Sequence, residues 1–291
     1  MNFLSARLGP GGIPLLLPAL LLAAWPCRAI SISVYIAAPN TVSSPATGGT
    51  AVNENFSSNP NWPAGGYTTD RTRSIGTFDL SPQSALRIVG SDQYGGAGNS
   101  GRYGAFGAQS GTSGAITLNL ASPTTFFGMW WSAIDPYNGV SLYDNNTFLM
   151  RISGADVIAL FNASNTLTAQ NGTQYQRTAY LGKPGTNPRQ NTGEYYAYTM
   201  FYASGLTFNR VVLDNSGTTG TGFEFDNFQT RSGTFQIPGT TVLLTQYQIT
   251  AVPEPSVWIP AGLGLAGAVW WRKRRRSGRK AAPPDSSAAA G

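Results

Sequence analysis

Between residues 30 and 250 the apolar residues never keep a helical period for three turns, and that constrains the fold more than any other feature of the chain. What recurs is the short run with strand character: "SISVYIA", "ALRIVG", "AITLNL", "TTFFGMWWS", "NTFLMRIS", "EYYAYTMFY", "LTFNRVVLD", "GFEFDNFQT" and "TVLLTQYQI". β-Branched and aromatic residues fill these runs, while Gly, Asn, Asp and Pro separate them. In "AITLNL", Ile116, Leu118 and Leu120 alternate with Ala115, Thr117 and Asn119, which predicts one dry face and one wet face. In "GFEFDNF", Phe223 and Phe225 share a face but Phe228 falls out of phase; one extra residue near Asp226-Asn227, a bulge, restores it. Nine or more such strands predict an all-β fold, a β-sandwich of the jelly-roll or concanavalin-like kind. The stretch from Glu54 to Ser113, rich in Gly, Asn, Ser and Tyr, reads as long loops on that sandwich. Residues 30–250 are therefore expected to form one domain.

The two ends read differently. Arg7, the apolar "IPLLLPALLLAAW" and Cys27-Arg28-Ala29 supply the three parts of a secretory signal peptide over residues 1–29. Cleavage after Ala29 removes the single cysteine, so the exported domain must rest on its core without a disulfide. Near the other end, the uncharged stretch from Val257 to Trp271 spans about 22 Å as a helix, against a hydrocarbon core of about 30 Å. Trp258 and Trp270-Trp271 suit the two interfaces of one C-terminal transmembrane helix. Arg272, Lys273, Arg274, Arg275 and Arg276 hold its end in the cytoplasm, leaving the body outside. Gly262, Gly264, Ala266, Gly267 and Ala268 give that helix a narrow face on which another can pack. Residues 277–291, rich in Pro, Ala and Ser, are expected to be a disordered tail.

The formal charge of +6 reflects seven basic residues between Arg272 and Lys280: between residues 30 and 251 ten basic residues stand singly against eleven acidic ones. A body so nearly neutral lacks the clustered cations that neutralise phosphates, so nucleic acid is excluded as a partner.

Over residues 251–276, the order Val252-Pro253-Glu254-Pro255, apolar helix, basic cluster closely resembles the PEP-CTERM sorting signal of Gram-negative bacterial surface proteins. The resemblance implies export by the signal peptide and retention in the inner membrane by the tail. It further implies processing near Pro253, Glu254 and Pro255 by an exosortase, after which the cargo reaches the cell surface or the extracellular matrix. In that family the cargo is commonly tied to extracellular polysaccharide, biofilm or floc. The stretches "FFGMWWSAIDPYNGVSLYDNN" and "FNRVVLDNSGTTGTGFEFDNF" also resemble the β-rich ectodomains of one group of exosortase-dependent proteins. That second resemblance implies a sandwich and brings no catalytic site.

Chemistry in the body is limited first by the absence of histidine, which removes Ser/His/Asp and Cys/His nucleophilic machinery and HExxH zinc sites. Glu224 and Asp226, two apart on a strand, share a face with roughly 7 Å between Cα atoms, a spacing compatible with glycoside hydrolysis. Alternation puts them opposite Phe223 and Phe225, on a face expected to be solvated. Asp226 and Asn227, together with Asp214-Asn215 or Asp144-Asn145-Asn146, can offer oxygens to a structural calcium ion, although Asx residues also serve turns. Trp62, Trp130 and Trp131 are candidates for stacking on a sugar. Trp130 and Trp131 are adjacent and must face opposite ways, one into the core and the other exposed or covered by a loop. Trp62, in "NPNWPAGGY", is expected to be the exposed one. The sequence thus reads as a non-enzymatic exported protein with no cofactor beyond that calcium. A carbohydrate-binding module on the same sandwich is the alternative, and a glycan-processing enzyme comes third.

Overall fold

The computed structural model describes residues 30–57, 62–108, 114–216 and 221–249. The expected signal peptide and the expected sorting tail, including Pro253, Glu254, Pro255 and the basic cluster Arg272 to Arg276, lie outside these residues. Among the described residues no helix is long and apolar enough to cross a membrane.

The body is all-β, and all nine strand-like runs are strands. Nine strands form one antiparallel sheet: β1 (Ile30–Ile36), β2 (Thr47–Glu54), β3 (Gly65–Tyr67), β6 (Leu86–Gly90), β7 (Arg102–Gly107), β9 (Phe126–Ile134), β14 (Tyr195–Ser204), β16 (Gly222–Gln236) and β17 (Val242–Ile249). Their order is β17-β1-β14-β9-β16-β7-β6-β3, with β2 also pairing to β16. Six strands form the other sheet, in the order β11-β10-β15-β8-β5-β4. These are β4 (Arg71–Arg73), β5 (Gly76–Asp79), β8 (Ala115–Thr124), β10 (Asn138–Asp144), β11 (Thr147–Ser153) and β15 (Phe208–Asn215). The small hairpin β12 (Thr166–Thr168) and β13 (Gln174–Gln176) stands apart from both.

One apolar core joins the sheets in a sandwich-like arrangement, with Phe127, Trp131, Phe223 and Phe225 from the larger and Phe78, Ile116, Leu118 and Leu142 from the smaller. The Asp226-Asn227 bulge sets its centre. Asp226 opposes Trp130 and Gln229 opposes Gly128, so β16 advances three residues while β9 advances two. Asn227 takes the extra place at φ 50°, a left-handed conformation that asparagine tolerates better than most residues. Phe228 thereby returns to the core side, stacking on Phe225 at 4.9 Å and on Phe78 of the opposite sheet at 6.2 Å.

The single α-helix among the described residues, α1 (Gly154–Asn162), is too short to leave a long period in the sequence. Ser153 and Asp156 close its N-terminus as a capping box. Phe161 from α1 stacks on Tyr195 of β14 at 4.4 Å.

The stretch expected as loops, Glu54 to Ser113, contributes five strands, β3 to β7, and serves both sheets. Of these only β6, in the run "ALRIVG", shows in the sequence; glycine hides β3, β5 and β7. At Gly76, φ is 151°, and a Cβ would lie 2.1 Å from the carbonyl oxygen of Asn119 on the neighbouring strand. A residue with a side chain does not fit there, so the β-propensity signal is missing where the strand runs closest.

The first and last described residues meet. In the pairing of β1 with β17, Ile30 opposes Ile249. β1 lies between β17 and β14, so the start of the body is held inside the sheet and its end forms one edge.

Candidate functional site

The larger sheet is buried on both faces, which the alternating pattern alone did not disclose. Its outer face carries a second apolar cluster of Phe126, Trp130, Ala133, Tyr196, Tyr198 and Met200, against which Val42 and Ala97 pack from covering loops. Glu224 and Asp226 lie on this face and are only 2% and 1% exposed, so the expectation of a solvated pair is corrected. The physical reason is long-range: the covering segments come from the β1–β2 and β6–β7 connections.

Asp226 works as a tether. One carboxylate oxygen accepts the backbone N–H of Ala97 at 3.1 Å and the other accepts that of Asn227 at 2.8 Å. Burial outweighs these bonds and pushes its pKa up to about 6. Asn227 donates to the carbonyl of Val42 at 2.7 Å, and Tyr198 donates to the carbonyl of Asn227 at 3.1 Å. Asp214 sits on the other sheet in a two-bond pair with Arg151, at 2.7 and 3.1 Å. The structure therefore does not bring Asp214 together with Asp226 and Asn227 as a calcium site. No group of three or more acidic, cysteine or histidine side chains poised for a metal ion occurs among the described residues.

The three tryptophans are all buried. Trp131 faces the core and stacks on Phe223 at 5.3 Å; Trp130 faces the other way, beside Tyr196 at 5.9 Å and under the loops. Their opposite orientations follow from strand alternation. Trp62 departs from expectation: it is fully buried rather than exposed. Its indole N–H donates to Glu54 at 3.0 Å, the Arg73 guanidinium lies 4.5 Å above its ring, and Phe56, Tyr67 and Phe78 surround it. A Pro/Gly loop suggested exposure, but the Trp62 ring turns inward, where burial repays it most. In this conformation none of the three indole faces is open to a sugar.

What the loops do form is a polar cleft. Asp135, Glu194 and Glu224 line a cavity of about 400 Å³ with Tyr94 at its rim. Burial, reinforced by the charge of Glu194, pushes the Asp135 carboxyl up to about 6. Ala133 in the same wall has φ 46°, at a bulge where β9 slips against β14. Beside it, a cavity of about 510 Å³ is lined by Ser91, Asp92, Tyr94 and Lys183.

Lys183, 1% exposed, donates to Ser91 Oγ at 2.6 Å and to the carbonyl of Asp92 at 2.5 Å. Burial lowers its pKa, and the Asp92 charge acts against that shift. A serine beside a lysine is the geometry of a nucleophile and its base. As arranged, however, the ammonium donates to two acceptors and Ser91 Oγ donates onward to the carbonyl of Gly95 at 3.3 Å. The contact therefore cross-links two loops. Asp92 reinforces it by accepting from the Tyr103 hydroxyl at 3.0 Å and from the backbone of Tyr94 and Gly95.

Two antiparallel sheets over one core, with a loop-covered outer face, define the chain as an all-β protein of sandwich type. No family model matches it, and no curated protein does. Among solved structures it is similar to the catalytic domain of a GH87 alpha-1,3-glucanase variant in complex with tetrasaccharides, at 14% identity. That likeness covers 78% of this chain and 31% of the other, with a TM-score of 0.21. So low a score defines no common fold.

Proposed function

We propose that the chain is an exported, non-enzymatic surface protein of the PEP-CTERM kind. Its jelly-roll-like sandwich is carried across the inner membrane by the signal at residues 1–29 and held there by the C-terminal helix. An exosortase then processes it near Pro253-Glu254-Pro255 for display or release among extracellular polysaccharide. The observation that supports this reading is the pairing of Ile30 with Ile249. Ile30 and Ile249 oppose each other on neighbouring strands, so the expected signal peptide and the expected sorting tail join the described body at one place. The absence of histidine and the structural use of Asp226 and Lys183 favour a non-enzymatic body.

The test is intact mass and C-terminal peptide mapping of the protein recovered from its host's surface and medium. The expected result is loss of the chain from about Pro253 onward. Replacing Pro253-Glu254-Pro255 by three alanines should trap the precursor in the inner membrane with the body still folded. A mature chain ending in Gly291, or normal release of the triple-alanine variant, overturns the reading.

A further inference from the structure

The acidic cleft over the larger sheet has no part in the sorting reading, and its charges are of one sign. Asp135, Glu194 and Glu224 line about 400 Å³, and no described lysine or arginine lines it with them. The three come from separate parts of the chain: Asp135 follows β9, Glu194 precedes β14 and Glu224 lies within β16. Glu194 accepts from the Asn191 amide, and Asp135 accepts the backbone N–H of Gly222, so both are held in place. Glu224, 2% exposed, is the deepest of them. Burial first and the Glu194 charge second make Asp135 harder to ionise, a cost that a bound cation offsets.

Ser132 is an independent sign of a ligand. It opposes Glu224 across β9 and β16, so the two side chains stand next to each other on the face that the cleft overlies. The residue is 0% exposed, yet its hydroxyl has no hydrogen-bond partner among the described residues. Buried hydroxyls are seldom left so, and a polar group entering the cleft beside Glu224 answers this one.

The space itself narrows what enters. The carboxylates are not grouped for a metal ion, and the volume falls in the range of about 300–1,000 Å³ for small-molecule sites. A lysine side chain from another protein brings a long aliphatic stem that packs along apolar surface, whereas carboxylate oxygens accept from hydroxyls as readily as from an ammonium. At the rim Tyr94, 38% exposed, presents a ring to a C–H face or to a cation. A compact ring carrying one ammonium and several hydroxyls meets all of these groups.

We propose that this cleft binds a hexosamine with a free amine, its ammonium beside Glu224 and Ser132, its hydroxyls toward Asp135 and Glu194 and its ring against Tyr94. The proposal stands on the cleft alone and is independent of the sorting reading.

Isothermal titration calorimetry of the purified protein with glucosamine, glucose and N-acetyl-lysine amide tests it. Glucosamine should bind, and glucose, with a hydroxyl in place of the ammonium, should bind at least about tenfold more weakly, because hydrogen bonds to charged groups are the stronger ones. Glu224→Gln keeps the size, removes the charge and should weaken glucosamine binding about tenfold. Glu194→Gln, at a partly buried position, should act in the same direction and decides the matter if circular dichroism shows the Glu224 variant misfolded. Asp79→Asn, exposed on the smaller sheet, makes the same change of charge elsewhere and should leave binding unchanged. Absence of glucosamine binding overturns the proposal, as do equal affinity for glucose, an equal loss on Asp79→Asn or full binding by folded Glu194→Gln. Tighter binding of the lysine derivative overturns it too, and would make the cleft a docking site for a protein.

Discussion

At Asp226 a buried carboxyl turns local environment into a dependence on pH. Its pKa in the folded chain is pushed up to about 6, against about 3.9 for an unfolded aspartate. The folded state therefore binds the proton more tightly. Its contribution to stability is complete below about pH 4 and is lost as the pH rises through 6, by up to roughly 3 kcal/mol. Asp135 titrates in the same direction from a partly buried position and adds less. The urea midpoint should rise between pH 7 and pH 5, and Asp226→Asn should flatten most of that rise. A midpoint that falls over the interval, or a variant with the full pH slope, would rule out burial as the cause. Sequence alternation placed Asp226 on the face away from Phe225, correctly. It could not report that Ala97, 129 positions away in the chain, comes down on top of it.

At the scale of the element, β16 carries the most information. Its phase error at Phe228 could be read directly from the spacing of three phenylalanines, because a period of two has no other way to absorb an odd residue. Deleting Asn227 should therefore be far worse than replacing a core side chain. Phe228 and the residues pairing with β2 and β9 beyond it would turn to the wrong face. Phe225→Ala should cost about 3–5 kcal/mol in denaturant unfolding, in the range of a large cavity. The deletion should leave no cooperative transition at all, and one that unfolds as cooperatively as the parent would show that register does not depend on the bulge. Strands β3, β4 and β5 were illegible for the opposite reason. They are three or four residues long and draw their fit from glycine, as at Gly76, so neither alternation nor propensity marks them. Trp62 was misplaced with them: its neighbours in sequence are loop residues, while its neighbours in space come from β3, β4 and β5.

For the whole molecule the all-β fold was legible because nine short runs of strand character recur between turn residues, while the covered face of the larger sheet was not, because its cover is assembled from distant connections. The edge strand β17 is the last strand of the described body. A chain ending at Ile249 should be as soluble and cooperative as the longer forms. One ending at Thr241 should aggregate, since removing β17 bares the backbone edge of β1 together with Ile32, Val34 and Ile36. Size-exclusion chromatography of the two truncations decides this, and a monomeric 241-residue form would contradict it. The meeting of Ile30 with Ile249 also has a consequence in time. Both strands that flank β1 lie beyond residue 194, so β1 has no partner until most of the chain has been made. Closing the largest loops last makes folding slow and late, and for that interval β1 is the segment most in need of a chaperone.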